Sequence, residues 1–295
     1  ERTKNEEKPS RLHCPVRDGA IAVAAITSCT NTANPKSMLA AGLVARRAVE
    51  LGLTVPTHVK CSLTPGSVAV DRYLDQMGLL APLAQLGFAV AGHGCATCVG
   101  NSGKLAPEVQ AALDKGPLIL ASVLSGNRNF ESRIHPAIAA NFLMSPALVV
   151  AFAIAGTVMF DPLNDAVGHD QKGQAVYLRD LLPEQAELAE LLASVSDTNI
   201  AIAEYRETFD APAAWLALNS QAGANFPWRD DDSYFKRPEA LRELLEKEAG
   251  DLALGTLRPL LVLGDNVTTD HISPVGRIGK DSEAAELLVR DGETA

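Results

Sequence analysis

Three short apolar runs, each followed directly by a polar loop, place the strongest constraint on how this chain folds. The runs cover 21–26, 87–92 and 117–123, and the loops that follow them cover 27–34, 93–103 and 124–133. Asn34 and Pro35 read as a helix N-cap and first helical residue, ahead of apolar side chains at helical spacing over 36–51. Continuous apolar strands that alternate with helices are typical of a parallel sheet covered on both faces. The sequence therefore predicts a three-layer α/β domain with a parallel sheet.

The three polar loops are expected to meet in space. In a parallel sheet the loops at the carboxyl ends of the strands share one edge, and ligands bind there. The first loop contains Cys29 and the third contains Arg128. The second contains Cys95 and Cys98. We therefore expect these four side chains to converge.

Outside this domain, apolar runs, polar loops and helices alternate less regularly. The sequence predicts a lead-in over 1–18, the α/β domain over 19–165, a helical and irregular linker over 166–256, and the start of a second domain over 257–295. Helices are predicted at 136–144, 183–194, 200–208 and 238–249, and a further strand at 258–263.

Composition excludes several classes of protein. Of 295 residues, 47% are hydrophobic and 21% are charged, which is ordinary globular composition and not that of a disordered chain. A net charge of −10 disfavours a general nucleic-acid binder, because phosphate binding needs clustered Lys and Arg. The apolar run 146–160 is too short to span a bilayer, and 1–8 contains no signal core. We expect a cytoplasmic protein without a membrane segment.

The cysteines favour metal or redox chemistry over disulfides, because their number, five, is odd and no signal core precedes them. Cys95 and Cys98 form a CxxC pair, a pattern used by redox pairs, zinc sites and iron–sulfur sites. With Cys29 as a third ligand, three thiolates suit an iron–sulfur cubane whose open iron is a Lewis acid. Cys61 is expected in the core, and Cys14 has no assigned role.

Two arginines and an Asp–His dipeptide are further candidates. Arg128 and Arg133 follow the turn at Asn127, and two planar guanidinium groups beside an open iron suit a di- or tricarboxylate. Asp270 and His271 put a carboxylate beside an imidazole, which suits orientation of a general acid. Taken singly, the arginines also fit a solvated surface and the dipeptide a structural role.

Four stretches in order carry a resemblance to a known family. They read AITSCTNTANP (25–35), GHGCATCVGNSG (92–103), LSGNRNFESRIHP (124–136) and LGDNVTTDHISP (263–274). These motifs resemble the aconitase family, in the long form shared by bacterial aconitase A and the cytosolic aconitase/iron-regulatory proteins. The resemblance extends over nearly the whole chain, from Ile21 to Leu288.

The resemblance implies a cofactor, a reaction and a set of residues. It implies a 4Fe–4S cluster on Cys29, Cys95 and Cys98, with substrate on the fourth iron. Citrate is then dehydrated to cis-aconitate and rehydrated to isocitrate. The residues implied at the tricarboxylate are Asn127, Arg128 and Arg133, and Asp270 is implied to pair with a histidine outside this chain.

Departures from the family pattern bear on the activity. The family's N-terminal domains and the rest of its swivelling domain are absent, so we expect a fragment that is inactive alone. Ser132 stands where the family has a glycine. Glu286 stands where aconitase A has a substrate-side arginine, and iron–sulfur 2-methylcitrate dehydratases resemble a form with glutamate there. Glu286 equally fits a solvated residue of a helix predicted at 282–290.

Two further hypotheses remain. A cluster-free, RNA-binding iron regulator would use the same scaffold, and the charge of −10 counts against it. A zinc or redox CxxC domain would leave two features unexplained: Cys29, and the loop that carries Arg128 and Arg133 (the arginine loop).

Overall fold

The computed structural model describes residues 16–27, 34–127, 129, 133–195, 213–218, 223, 226–229, 231–232, 238, 258–265, 267, 269–272 and 278–293. The chain divides into two compact units, Glu1–Asp210 and Ala211–Ala295. Within the described ranges, no helix is long and apolar enough to cross a membrane.

A parallel sheet of four described strands forms the centre of the first unit. The strands are β1 (Ile21–Ile26), β2 (Lys60–Leu63), β3 (Leu120–Leu124) and β4 (Ile138–Leu143). Their order is β2-β1-β3-β4, and each neighbouring pair is parallel. All residues of β1 and β3 are buried, as expected for inner strands covered on both faces.

Helices and one hairpin complete the described part of the first unit. The helices are α1 (Pro35–Glu50), α2 (Val68–Gln76), α3 (Leu80–Gln85), α4 (Pro107–Leu113), α5 (Pro146–Ala155), α6 (Leu178–Leu181) and α7 (Gln185–Val195). Strands β5 (Ala166–His169) and β6 (Ala175–Tyr177) pair in an antiparallel hairpin. The second unit contains α8 (Ala213–Leu216), α9 (Thr269–Ile272) and α10 (Glu283–Arg290).

Helices cover both faces of the sheet. On one face, Leu43 of α1 and Val150 of α5 join the same buried cluster as Ile26 of β1. On the other face, Val109 of α4 packs with Leu120 of β3. The predicted α/β fold with a parallel sheet and helices on both faces is confirmed.

Several predicted elements are found in the structure. The helix predicted at 36–51 is α1, and the Asn34 side chain accepts a hydrogen bond of 3.0 Å from the backbone N–H of Lys36 at its start. The helix predicted at 183–194 is α7. The prediction at 200–208, and the prediction at 238–249 apart from residue 238, lie outside the described residues.

Three predicted elements are wrong. The segment 136–144 was expected to be a helix but contains β4, because pairing with β3 outweighs the helix propensity of its alanines. The run 87–92 is irregular apart from a bridge between Leu63 and Val90. The run 258–263, expected to be a strand, is irregular.

The elements after residue 165 pack against the buried cluster that α1, α5 and β1 share. Val167 of β5, Val176 of β6 and Leu188 of α7 are buried in the same cluster as α1 and α5. Glu187 of α7 also bridges α1, with Arg46 at 2.8 Å and Arg47 at 2.5 Å. The domain boundaries proposed at residues 165 and 256 stay predictions.

Candidate functional site

Hydrogen bonds from backbone N–H groups tie the carboxyl ends of β1, β2 and β3 together. The backbone N–H of Thr27, after β1, donates a hydrogen bond of 3.1 Å to Oγ of Ser125, after β3. The backbone N–H of Thr64, after β2, donates to the carbonyl of Ile26 at 2.8 Å. The polar loops therefore leave the sheet from one edge, as the topology rule requires.

The loop with the CxxC pair begins alongside β2. Leu63 donates to the carbonyl of Ala89 at 3.1 Å and accepts from the N–H of Ala91 at 2.9 Å. The N–H of Gly94 then donates to the carbonyl of Pro65 at 3.0 Å. These bonds bring Cys95 to the carboxyl end of β2.

The CxxC pair itself sits on a single tight turn. A 3₁₀ turn covers Thr97–Val99, and Gly100 ends it with a left-handed φ of 84°. Cys95 is exposed, and the backbone of Cys98 lies within the turn. Among the cysteines whose side chains the structure describes, Cys61 and Cys95, neither is in a disulfide.

Three side chains from β2 and α2 hold this loop. The Lys60 ammonium donates to the carbonyls of Ser102 and Lys104, at 2.9 Å for Lys104. Ser62 Oγ lies 3.4 Å from Thr97 Oγ1. On α2, Asp71 Oδ2 lies 2.8 Å from His93 Nε2.

The arginine loop is attached to β4, the strand at the far side of the sheet from β2. Asn129 donates from Nδ2 to the carbonyl of Asn141 in β4 at 3.1 Å. The Ser122 hydroxyl, in β3, donates to Oδ1 of Asn141 at 2.5 Å. Asn127 is exposed, whereas Arg133 is only 3% exposed. The two ends of the loop thus differ sharply in their access to solvent.

Other predicted site residues are placed only in part. Cys29 and Arg128 lie outside the described residues, and for Cys98 and Asp270 only the backbone is described. His271 is exposed in α9 of the second unit. The predicted convergence of the cysteines with Arg128 therefore stays a prediction.

Three buried hydroxyl groups occur at this edge of the sheet and in the CxxC loop. Thr27 Oγ1, Thr64 Oγ1 and Ser102 Oγ are buried and have no hydrogen-bond partner among the described residues. Buried hydroxyls normally have a partner, so each retains a hydrogen bond to donate or accept.

The residues that support the two loops were not predicted from the sequence. Lys60, Asp71 and Asn141 lie outside the four motifs. Near Asp71, burial and then the Asp71 carboxylate raise the pKa of Tyr73, so that phenol remains neutral. A polar residue such as Asn141 in a strand paired with a fully buried strand was the one available signal.

The described residues include no group of three or more His, Cys, Asp or Glu side chains placed to hold a metal ion. Cys29 and the side chain of Cys98 lie outside these residues.

The chain is similar in sequence to known proteins of one family. The sequence profile of the aconitase family (aconitate hydratase) matches residues 1–156. The chain is 46% identical over 277 residues to aconitate hydratase A of Bacillus subtilis, covering 94% of this chain and 30% of that protein. It is 44% identical over 279 residues to aconitate hydratase A of Streptococcus mutans, covering 95% and 31%. For the Thermus thermophilus enzyme the identity is 44% over 274 residues, covering 93% and 30%.

The chain thus spans about 30% of the length of these relatives. The family profile nevertheless covers more than half of the chain, including the CxxC loop and both arginines of the third loop. This chain belongs to the aconitase family.

Proposed function

We propose that the protein carrying this chain is a hydro-lyase of the aconitate hydratase type, which interconverts citrate and isocitrate through cis-aconitate. One observation carries the proposal. In a chain of the aconitase family, the CxxC loop and the arginine loop leave one edge of one parallel sheet. A loop with two thiols and a loop with two guanidinium groups, both at one edge of a sheet, suit an iron–sulfur group that binds a polycarboxylate.

The cofactor of the proposal is a 4Fe–4S cluster held by Cys29, Cys95 and Cys98. The chemistry of the donors fits, since thiolates are the ligands that iron–sulfur clusters take. The loop also fits: a Cβ added at Gly92 or Gly94 would meet no atom within 4 Å, so open space adjoins the exposed Cys95. When bound, such a cluster supplies an open iron as a Lewis acid.

The residues of this chain would bind and orient the substrate. Arg128 and Arg133 would hold carboxylates through two parallel N–H···O bonds each, with Asn127 contributing an amide. Burial of Arg133 strengthens such a bond, because water competes less at a site with low exposure. Asp270, beside His271, would orient a histidine from another part of the protein and thereby set where a proton is held.

A matched pair of cysteine variants tests the proposal in the complete protein. Cys95→Ala should abolish bound iron and sulfide together with aconitate formation, because it removes a ligand. Cys61→Ala is the control, since Cys61 packs half-buried against the core. Iron and sulfide analysis and the ultraviolet absorbance of cis-aconitate report the two effects. Full cluster content in Cys95→Ala, or none in the wild type, would overturn the proposal.

A further inference from the structure

The CxxC loop is held from outside by one continuous strip of the chain, which runs from β2 into α2. Asp71 contacts the loop just before Cys95, through His93. Lys60 contacts it after Cys98, through the carbonyls of Ser102 and Lys104. The two contacts therefore bracket both thiols of the pair.

The Lys60 ammonium comes close to the backbone of the CxxC loop at Gly103. Gly103 lies between the two carbonyls that Lys60 binds and has a left-handed φ of 69°. A Cβ on Gly103 would stand 3.2 Å from the Lys60 ammonium, tighter than ordinary contact. A glycine in this conformation lets the ammonium reach both carbonyls, and charged hydrogen bonds of this kind are among the stronger ones.

The Asp71 contact fixes the other end. Asp71 lies on α2, and its carboxylate is 19% exposed, against 36% for the His93 ring. Helix α2 is itself fixed by its Ser67 cap, whose hydroxyl accepts from the N–H of Ala69 at 3.0 Å. The carboxylate is therefore carried by a capped helix and contacts a residue two positions before Cys95.

We propose that Lys60 and Asp71 are positioning residues, which hold Cys95 and Cys98 in the arrangement that binds the iron–sulfur cluster. The inference rests on the proposed function, since it concerns the ligands of the same cluster. Residues that hydrogen-bond to metal ligands, without binding the metal themselves, typically change metal affinity by about 10- to 100-fold when they are replaced. Neither residue touches the cluster in this assignment, so they act only through the loop.

The test uses the complete protein loaded with its cluster. Lys60→Met and Asp71→Ala remove the contacts, while Lys60→Arg and Asp71→Asn keep a donor or an acceptor in place. The matched controls are Asp75→Ala, one turn along the same helix and exposed, and Lys172→Met, in the exposed β5–β6 turn. The readouts are the rate of iron release to a chelator, the visible absorbance of the cluster, and the melting temperature without cluster.

We expect Lys60→Met and Asp71→Ala each to release iron about tenfold faster or more. The conservative variants and both controls should stay near the wild-type rate. A purely structural role would instead lower the melting temperature without cluster and would not be rescued selectively by Lys60→Arg or Asp71→Asn. Asp71 and Lys60 lie on different elements, α2 and β2, so the Asp71 variants test the inference even if Lys60→Met fails to fold.

The outcomes separate the two proposals. If the wild type binds iron and sulfide but Lys60→Met and Asp71→Ala release iron as slowly as the controls, the positioning role is wrong and the proposed function stands. A wild type that binds no iron and sulfide overturns both.

Discussion

Replacing Asn141 tests whether the arginine loop depends on a buried hydrogen bond. Ser122 is 0% exposed and donates to Oδ1 of Asn141, which is 8% exposed, at 2.5 Å. Asn141→Ala leaves the Ser122 hydroxyl buried without this acceptor, which costs about 1–3 kcal/mol. Ser122→Ala should cost less, about 0.5–1.5 kcal/mol, because Asn141 reaches some solvent and has further contacts.

The double variant supplies the control. If the two side chains act through their shared bond, Ser122→Ala with Asn141→Ala should cost less than the sum of the single changes, by about 1 kcal/mol. Amide hydrogen exchange in β3 and β4 of the complete protein, at increasing denaturant, measures the local free energy of unfolding. Strict additivity of the two effects would refute the coupling.

The same variants report on function. Asn129 donates to the carbonyl of Asn141, so a shift of β4 is transmitted to the loop that carries Arg128 and Arg133. We expect Asn141→Ala to raise KM for the tricarboxylate more than it lowers kcat. An unchanged KM would show that the loop keeps its place without the hydrogen bond between Ser122 and the Asn141 side chain.

Three other outcomes are expected. Arg133→Lys should lower kcat/KM about tenfold or more, because an ammonium cannot replace a planar fork; wild-type steady-state kinetics would refute a binding role. Gly156→Ala should destabilise by about 1–2 kcal/mol in denaturant unfolding, since φ is +72° there and the new Cβ would lie 2.9 Å from Pro56. If Glu286 selects against citrate, kcat/KM should favour 2-methylcitrate, and a tenfold preference for citrate, ~1.4 kcal/mol, would remove that hypothesis.

Local signals in the sequence predicted the elements that depend on local interactions. The start of α1 follows from Asn34 and Pro35, which satisfy the first turn of the helix without help from elsewhere. The Ser282 cap of α10 is likewise local, with its hydroxyl accepting from the N–H of Ala285 at 3.2 Å. Strand β4 was mistaken for a helix because its conformation depends on its pairing with β3, which no short window contains.

The supporting contacts of the site escaped prediction for the same reason. Lys60 and Lys104 are 44 positions apart, and Ser62 and Thr97 are 35 apart. Such pairs meet only because the chain returns along β2, and neither partner has an unusual sequence context. The motifs predicted which loops matter, whereas the side chains that hold those loops follow from tertiary structure alone.

The order of the strands separates the supports of the two loops. The CxxC loop is held from β2 and α2, the arginine loop from β3 and β4, and β1 lies between them. Contacts with no shared partner usually contribute additively. Loss of the Lys60 contact should therefore weaken cluster retention with little effect on substrate affinity. Loss of the hydrogen bond between Ser122 and Asn141 should weaken substrate affinity with little effect on cluster retention. Because Cys29 follows β1 in sequence, the convergence of the two thiols, Cys29 and the arginines in one site stays a prediction.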